Sequence, residues 1–157
     1  MMAETGLRTN ALLSLRVSDL DLTHGTAIVR RGKGGKGRIV PFGPQTAAAP
    51  DRYLRVRRDH KLPGTDAVWL GLLSKTFGYT GLWRALVYRV KLAGIDGMHP
   101  HRLRHTAPTR WLAAGGSEGG LMAVAGWSKR EMTDRYTRAT VSERAADEAR
   151  KLKLGEL

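Results

Sequence analysis

The sequence predicts a mainly α-helical domain with a small antiparallel β-sheet or hairpin, an α+β fold class. Apolar residues recur at helical spacing in several segments, as at Leu82, Leu86 and Val90, and this period is typical of helices that pack one face on a core. Two β-rich runs flank a glycine-rich turn, which predicts a hairpin. The 157 residues, 41% of them hydrophobic, suffice for one domain with a core. We therefore expect a single domain over residues 1–157.

The composition favours a nucleic-acid partner and excludes several kinds of site. Lys and Arg number 27 against 14 Asp and Glu, which gives a net charge of +13, and such an excess points to a polyanion before an anionic membrane surface. On charge alone, an RNA-binding protein stays an alternative to a DNA-binding one. The absence of cysteine excludes disulfides, thiolate zinc sites and cysteine nucleophiles. No signal peptide or membrane-length apolar run is visible, so we expect a cytoplasmic protein.

The first third of the sequence predicts a short helix and then the hairpin. A leucine-rich stripe at helical spacing predicts the helix, which extends to about residue 16. The strands of the hairpin are expected over 26–30 and 38–42, with Lys33 and Lys36 at its glycine-rich tip. A phosphate-cradling P-loop is excluded because no Lys-Ser or Lys-Thr pair follows the glycines. Glycines let the two lysines approach a partner closely, which favours contact with a nucleic-acid backbone.

Turn and capping residues divide the rest of the chain into helices. Pro50 suits a first helical turn, so the helix after the hairpin is expected to be stable only beyond it. Thr80 and Ser117 are the predicted N-caps of two later helices. Pro108 stands inside a predicted helix, where proline costs about 3 kcal/mol unless a kink absorbs it. The predicted segments are a helix over 51–60, a short strand over 67–70, and helices over 80–93, 101–114, 118–125, 131–138 and 142–153.

One stretch in the C-terminal third contains the candidate catalytic residues. His101 and Arg104 are three residues apart on a predicted helix, so their side chains share a face. An imidazole and a guanidinium that converge on one point suggest a phosphate ligand, and Tyr136 is a candidate nucleophile toward it. His101 and His105 also have helical metal-pair spacing, but no carboxylate or cysteine lies close by in sequence. We therefore expect no metal and interpret His105 as a hydrogen-bonded packing residue.

Four motifs taken together resemble the tyrosine recombinase family of phage-integrase-like site-specific recombinases. They are Thr5-Gly6-Leu7-Arg8, Gly32 to Arg38 followed by Ile39-Val40-Pro41, His101-Arg102-Leu103-Arg104-His105-Thr106, and Gly126-Trp127 with Tyr136 nine residues later. Their order and spacing match the family from the first motif to about the last helix. The HRLRHT segment with its distal tyrosine is the specific part of the likeness. The resemblance implies the catalytic-domain fold of that family.

The resemblance also implies a role for each matching residue. Tyr136 would attack a scissile DNA phosphate and form a 3′-phosphotyrosine link. Arg8 and Arg104 would hold the nonbridging oxygens and stabilise charge in the transition state. Lys33 would protonate the leaving 5′-oxygen, and His101 would assist proton transfer at the tyrosine.

Further implications concern the tyrosine, cofactors and partners. Trp127 occupies a position that is often histidine in the family, and its indole N–H would donate to a phosphate oxygen. The surrounding cations are expected to favour the anion of Tyr136, whose phenol has an unperturbed pKa near 10. The phosphotyrosine conserves bond energy, so no ATP, metal or other cofactor is expected. The implied partners are double-stranded DNA and either three further copies in a homotetramer or a full-length recombinase, with no membrane.

Two departures from the family pattern leave alternatives open. Family members usually carry an N-terminal helical domain that clamps DNA, and we expect this chain to lack it together with the first helices of the catalytic domain. Ala11 stands where a carboxylate is common. Both departures favour the alternative of an inactive DNA-binding remnant of a mobile-element integrase. A basic RNA-binding protein with a chance likeness is the second alternative.

Overall fold

The computed structural model describes residues 1–30, 37–62, 64–72, 76–137 and 141–152, and this part of the chain is mainly helical. The helices are α1 (Met2–Thr5), α2 (Thr9–Leu13), α3 (Pro44–Arg57), α4 (Tyr79–Leu92), α5 (Pro100–Ala113), α6 (Glu118–Ala125), α7 (Glu131–Thr137) and α8 (Val141–Leu152). The strands are β1 (Leu20–Asp21), β2 (Thr26–Val29) and β3 (Arg38–Pro41). The predicted fold class, mainly α with a small antiparallel sheet, is confirmed.

The strands form one antiparallel sheet in the order β1-β2-β3. β2 and β3 are the two arms of the predicted hairpin, and Ala27 pairs with Val40. Alternation along β2 buries Ala27 and Val29 and leaves Ile28 43% exposed, as expected for a strand with one core-facing side. β1 is absent from the sequence prediction because its two residues are too few to show a period.

The core consists of two hydrophobic clusters. The largest side chains buried beside the sheet are Leu7, Leu15, Val40 and Val68. The second cluster lies between α5 and α6 and contains Leu112, Leu121, Ala125 and Trp127. α1 is short, but it lies directly against α5. The first residues of the chain are therefore part of the scaffold that supports the C-terminal helices.

α3 contains a proline, Pro50, in its interior. The helix begins at Pro44 and continues through Pro50, whereas the sequence predicts a stable helix only after Pro50. Pro44 takes a first-turn position where no intrahelical N–H bond is lost, and the Ala47 amide donates to the Gly43 carbonyl at 3.0 Å. Pro50 is buried, and this burial offsets part of the roughly 3 kcal/mol that an interior proline costs. Pro108 in α5 is likewise buried within a continuous helix.

Some local predictions are corrected by long-range contacts. α2 ends at Leu13, earlier than predicted, and Arg16 then forms an isolated β-bridge with Ala67. The predicted strand over 67–70 is wrong, because these residues make only isolated bridges. The bridge between Arg16 and Ala67 joins segments far apart in sequence, and the bridge between Leu70 and Thr76 is a single pair, so neither leaves a strand pattern to recognise.

The two predicted N-caps have opposite outcomes. Ser117 caps α6, since its hydroxyl accepts the Gly120 amide at 3.1 Å. Thr80 does not cap α4, which begins one residue earlier with Gly78 as its N-cap and without a side-chain capping bond. α4 also buries none of its side chains. Within the described ranges, no helix is both long enough and apolar enough to cross a bilayer.

Candidate active site

Arg104 connects α5 to the turn that precedes Arg8. Its side chain is 8% exposed and donates a hydrogen bond to the Gly6 carbonyl. Gly6 ends α1 in the left-handed region at φ +63°, a conformation that glycine adopts without a steric penalty. The chain then passes through the buried Leu7 to Arg8. The burial of Arg104 therefore fixes the segment that carries a second candidate site residue.

The charges of Arg8 and Arg38 act on the buried guanidinium of Arg104. Burial lowers the pKa of Arg104 to about 10, and the charges of Arg8 and Arg38 add to this effect. Burial, followed by the charge of Arg8, also lowers the pKa of Arg38. No carboxylate in the described part of the chain forms an ion pair with any of the three. A cluster of unpaired cations is electrostatically complementary to an anion, and arginine suits the geometry of phosphate.

Arg38 was not among the candidate residues, although it closes one of the motifs. Its Nε donates to the Val124 carbonyl at 2.9 Å, so it joins the start of β3 to the C-terminal end of α6. A cation at this end of a helix also interacts favourably with the helix dipole. Its Nη2 is buried without a partner among the described residues. The sequence offers no local signal for this contact because strand and helix lie far apart in the chain.

Gly126 leaves room for the Arg38 side chain. It ends α6 at φ +66°, and a Cβ atom there would lie 2.9 Å from the Arg38 Cζ atom. Glycine is therefore needed for both the backbone conformation and the close approach. The next residue, Trp127, is 8% exposed.

Tyr136 is held between an indole and an imidazole. The Trp127 and Tyr136 rings stack at 5.6 Å between centroids with an interplanar angle of 11°. The Tyr136 hydroxyl is hydrogen-bonded to Nδ1 of His105. The Nε1 atom of Trp127 is buried and has no partner in the described part of the chain. α5, α7 and the turn after α6 thus converge on the candidate nucleophile.

His101 contacts the ring of His105, which is the histidine that is hydrogen-bonded to the Tyr136 hydroxyl. It is exposed, and its ring meets the His105 ring edge-on at 4.5 Å between centroids and 88°. The structure therefore places His105, not His101, against Tyr136. The i, i+4 spacing of the two histidines is the signal in the sequence that places both rings on the face of α5 toward Tyr136. Within the described ranges, no group of three or more His, Asp or Glu side chains is arranged to hold a metal ion.

Burial sets the protonation states at this contact. It raises the pKa of Tyr136, and the charges of Arg104 and Arg135 oppose the effect without reversing it. The expected effect of the cations, which favours the anion of Tyr136, is present, but burial outweighs it and the net shift of this pKa is upward. Burial also lowers the pKa of His105, and the charge of His101 adds to the lowering. His105 is accordingly neutral near pH 7, since the unperturbed imidazole value is already about 6.5.

The lysines of the hairpin tip, Lys33 and Lys36, lie outside the described residues. Gly37, which follows the tip, borders a cavity lined by Arg38, Gly126 and Trp127. The role expected for Lys33 therefore stays a prediction. The described residues bring together Arg8, Arg104, Trp127 and Tyr136, and they add Arg38 and His105 to that group.

The chain is similar in sequence to known recombinases. The sequence model described as the phage integrase family matches residues 1–143. Tyrosine recombinase XerC of Lactobacillus leichmannii is 32% identical over 147 residues, which cover 91% of this chain and 50% of the relative. Tyrosine recombinase XerD of Mycobacterium tuberculosis is 34% identical over 145 residues, which cover 90% of this chain and 46% of the relative. The chain thus spans about half the length of the curated relatives it matches.

Solved structures share the fold. The XerA recombinase superposes with a TM-score of 0.80 at 29% identity, over 97% of this chain and 55% of that one. The XerH site-specific recombinase, solved in a pre-cleavage complex with its difH substrate, gives a TM-score of 0.74 at 21% identity, over 92% of this chain and 44% of that one. The second likeness concerns the fold alone.

Proposed function

The chain belongs to the phage integrase family of tyrosine recombinases, and from this premise we propose that it cleaves and rejoins double-stranded DNA through a 3′-phosphotyrosine intermediate. The observation that carries the proposal is the group of cations around Arg104. The Arg104 side chain is hydrogen-bonded to the Gly6 carbonyl, two residues before Arg8. The charges of Arg8 and Arg38 act on it, and its own charge acts on Tyr136. Clustered cations without carboxylate partners destabilise one another, and a bound phosphate relieves that repulsion. A nucleophile beside a phosphate-binding cluster is the arrangement that phosphoryl transfer requires.

The proposed reaction is an in-line displacement at phosphorus. The Tyr136 oxygen forms a bond to the scissile phosphorus, and the bond to the 5′-oxygen breaks. Arg8 and Arg104 hold the nonbridging oxygens and stabilise the charge that develops in the transition state. Lys33 gives a proton to the leaving 5′-oxygen, and rejoining reverses these steps. His101, exposed beside His105, would assist proton transfer from the outer side of the pair.

Trp127 supplies a further donor to the phosphate in this proposal. Its buried indole N–H has no partner in the described part of the chain, and an unpaired buried donor costs about 1–3 kcal/mol. A phosphate oxygen that accepts this N–H removes the penalty, which favours binding of the charged group.

The substrate is proposed from the net charge, and the assembly from the family resemblance. The net charge of +13 favours duplex DNA through release of its counterions. From the family resemblance we propose that strand exchange takes place in a homotetramer or together with a full-length recombinase. Light scattering of the chain with duplexes that carry two target sites distinguishes a tetramer from a single bound copy.

The test is capture of the covalent intermediate. The probe is a pool of duplexes of randomised sequence, nicked so that the short strand released by cleavage diffuses away. Wild-type protein is expected to form an adduct that survives denaturing electrophoresis, and Tyr136→Phe is expected to form none. A Tyr136→Phe protein that still forms the adduct would show that another group is the nucleophile.

The alternative function is DNA binding without cleavage. Ala11, at a position where the family commonly has a carboxylate, favours it. This alternative gives salt-sensitive binding of the same duplexes and no adduct with the wild type. Preference for structured RNA over duplex DNA in competition would instead support the RNA-binding alternative.

A further inference from the structure

We propose that His105 takes the proton of the Tyr136 hydroxyl as that oxygen attacks the phosphate. This role rests on the function proposed above and assigns the proton transfer to a different histidine from the one that the motif suggests. Its basis is direct contact, because Nδ1 of His105 is hydrogen-bonded to the Tyr136 oxygen. A general base must lie within hydrogen-bond reach of the proton it removes.

The surroundings fix this contact in place. Trp127 stacks on the ring of Tyr136, and α5 packs against α7, so the hydroxyl is directed toward the His105 ring. His101 lies on the far side of that ring, exposed and edge-on to it. In this arrangement, His101 reaches the tyrosine only through His105.

The charges around His105 keep its ring neutral before the reaction, so that one ring nitrogen is free to act as an acceptor. The titratable groups that face it are His99, His101 and Arg104 on the α5 side and Arg135 and Tyr136 on α7. Each of the first four disfavours a second proton on the ring. A neutral imidazole has one N–H and one acceptor nitrogen, and the tyrosine O–H donates to Nδ1 when the ring proton is on Nε2.

The step balances without another reactant. The bond from the Tyr136 oxygen to phosphorus forms as the bond from phosphorus to the 5′-oxygen breaks. The phenolic proton passes to Nδ1, which leaves His105 as an imidazolium beside the phosphodiester. The 5′-oxygen receives its proton from a separate acid, for which Lys33 is proposed. In rejoining, the imidazolium returns its proton to the departing phenolate.

A titration of the DNA-free protein tests the hydrogen bond independently of any activity. The pKa of His105 is followed through its imidazole NMR signals in wild type and in Tyr136→Phe. Loss of a donor to the neutral ring destabilises the neutral form, so the pKa of His105 should rise in the variant. A fall would mean that His105 donates the bond, and no change would mean that the bond is absent. Either result overturns the proposal.

A cleavage assay tests the proton transfer itself. With the nicked duplex pool, His105→Ala should slow adduct formation by about 10²–10⁴-fold, the usual contribution of a general base, while DNA affinity stays near wild type. Added imidazole should restore part of the rate, which a merely structural role would not allow. His105→Asn keeps a polar group at the site in case the alanine variant unfolds, and it should be equally slow. His24→Ala, on the exposed β1–β2 turn, is the matched control and should cleave at the wild-type rate.

A changed leaving group separates the base from the acid. Duplexes with sulfur in place of the bridging 5′-oxygen need no proton at the leaving atom. They should therefore restore the cleavage rate of Lys33→Ala but not that of His105→Ala. If the wild type cleaves and His105→Ala cleaves equally fast, the role of His105 is wrong, while the proposed cleavage function stands. A wild type that forms no adduct overturns the proposed cleavage, and the role of His105 falls with it.

Discussion

At the scale of single residues, Gly126 combines two constraints in one position. Its backbone is left-handed at φ +66°, and the Arg38 guanidinium occupies the space where a Cβ atom would lie. Gly126→Ala should lower the free energy of unfolding by about 1–2 kcal/mol from the backbone alone, and the displaced arginine should add to this. Denaturant unfolding gives the value. The control is Gly119→Ala in the same helix, where no atom lies within 4 Å. Equal effects of the two substitutions would contradict the proposed contact.

A second residue-scale prediction concerns acid stability. The pKa of His105 is lowered in the folded chain, chiefly by burial, so the unfolded chain binds a proton more readily. Folding stability is therefore full above the unfolded value of about 6.5 and is lost as the pH falls through the lower folded value. His105→Gln should remove this loss. Unfolding free energies of wild type and variant across that pH range should converge toward acid, and a constant difference would contradict the assignment.

The site was only partly predictable from the sequence, because some of its contacts join elements that are far apart in the chain. Arg104 and Tyr136 were recognisable from motifs, because their residue types and spacing are local. The contact between His105 and Tyr136 depends on how α5 packs against α7, and the Arg38 contact depends on how β3 meets α6. The direction of the Tyr136 pKa shift also depends on burial, and a list of nearby cations gives the wrong sign.

At the scale of elements, two capping residues allow a matched comparison. Ser117 accepts the Gly120 amide at the start of α6, whereas Thr80 makes no capping bond at the start of α4. Ser117→Ala should therefore destabilise the protein by about 1 kcal/mol, and Thr80→Ala should change stability by less than about 0.5 kcal/mol. Thermal unfolding of both variants under one condition measures the difference. Equal losses would mean that Thr80 caps its helix after all.

Elements with strong local signals at both ends were predicted well. α6 has the serine cap at one end and glycine at the other, and its bounds agree with the prediction. The two arms of the hairpin were also recognisable from their β-rich composition. β1 and the continuation of α3 through Pro50 were not recognisable from the sequence. The pairing of a two-residue strand and the burial of a proline depend on the rest of the fold.

At the scale of the whole molecule, the net charge of +13 leads to a prediction about salt. Each neutralised phosphate contributes about −0.9 to the slope of log K against log salt concentration. The affinity for duplex DNA should therefore fall steeply as salt rises, and Arg8→Ala should make the slope shallower by about one such unit. Fluorescence anisotropy with one labelled duplex measures both slopes. An affinity independent of salt would contradict a binding mode that depends on phosphate contacts.

The contact between Arg38 and Gly126 also has a consequence for how this chain can change over generations. A side chain at position 126 is excluded while the arginine occupies the space beside it. Once position 38 carries a smaller residue, only the left-handed backbone restricts position 126, and asparagine tolerates that conformation. The order of mutations therefore matters, with the strand position changing first and the turn second. A residue other than glycine at position 126 should therefore occur only in descendants of this chain whose position 38 no longer carries arginine.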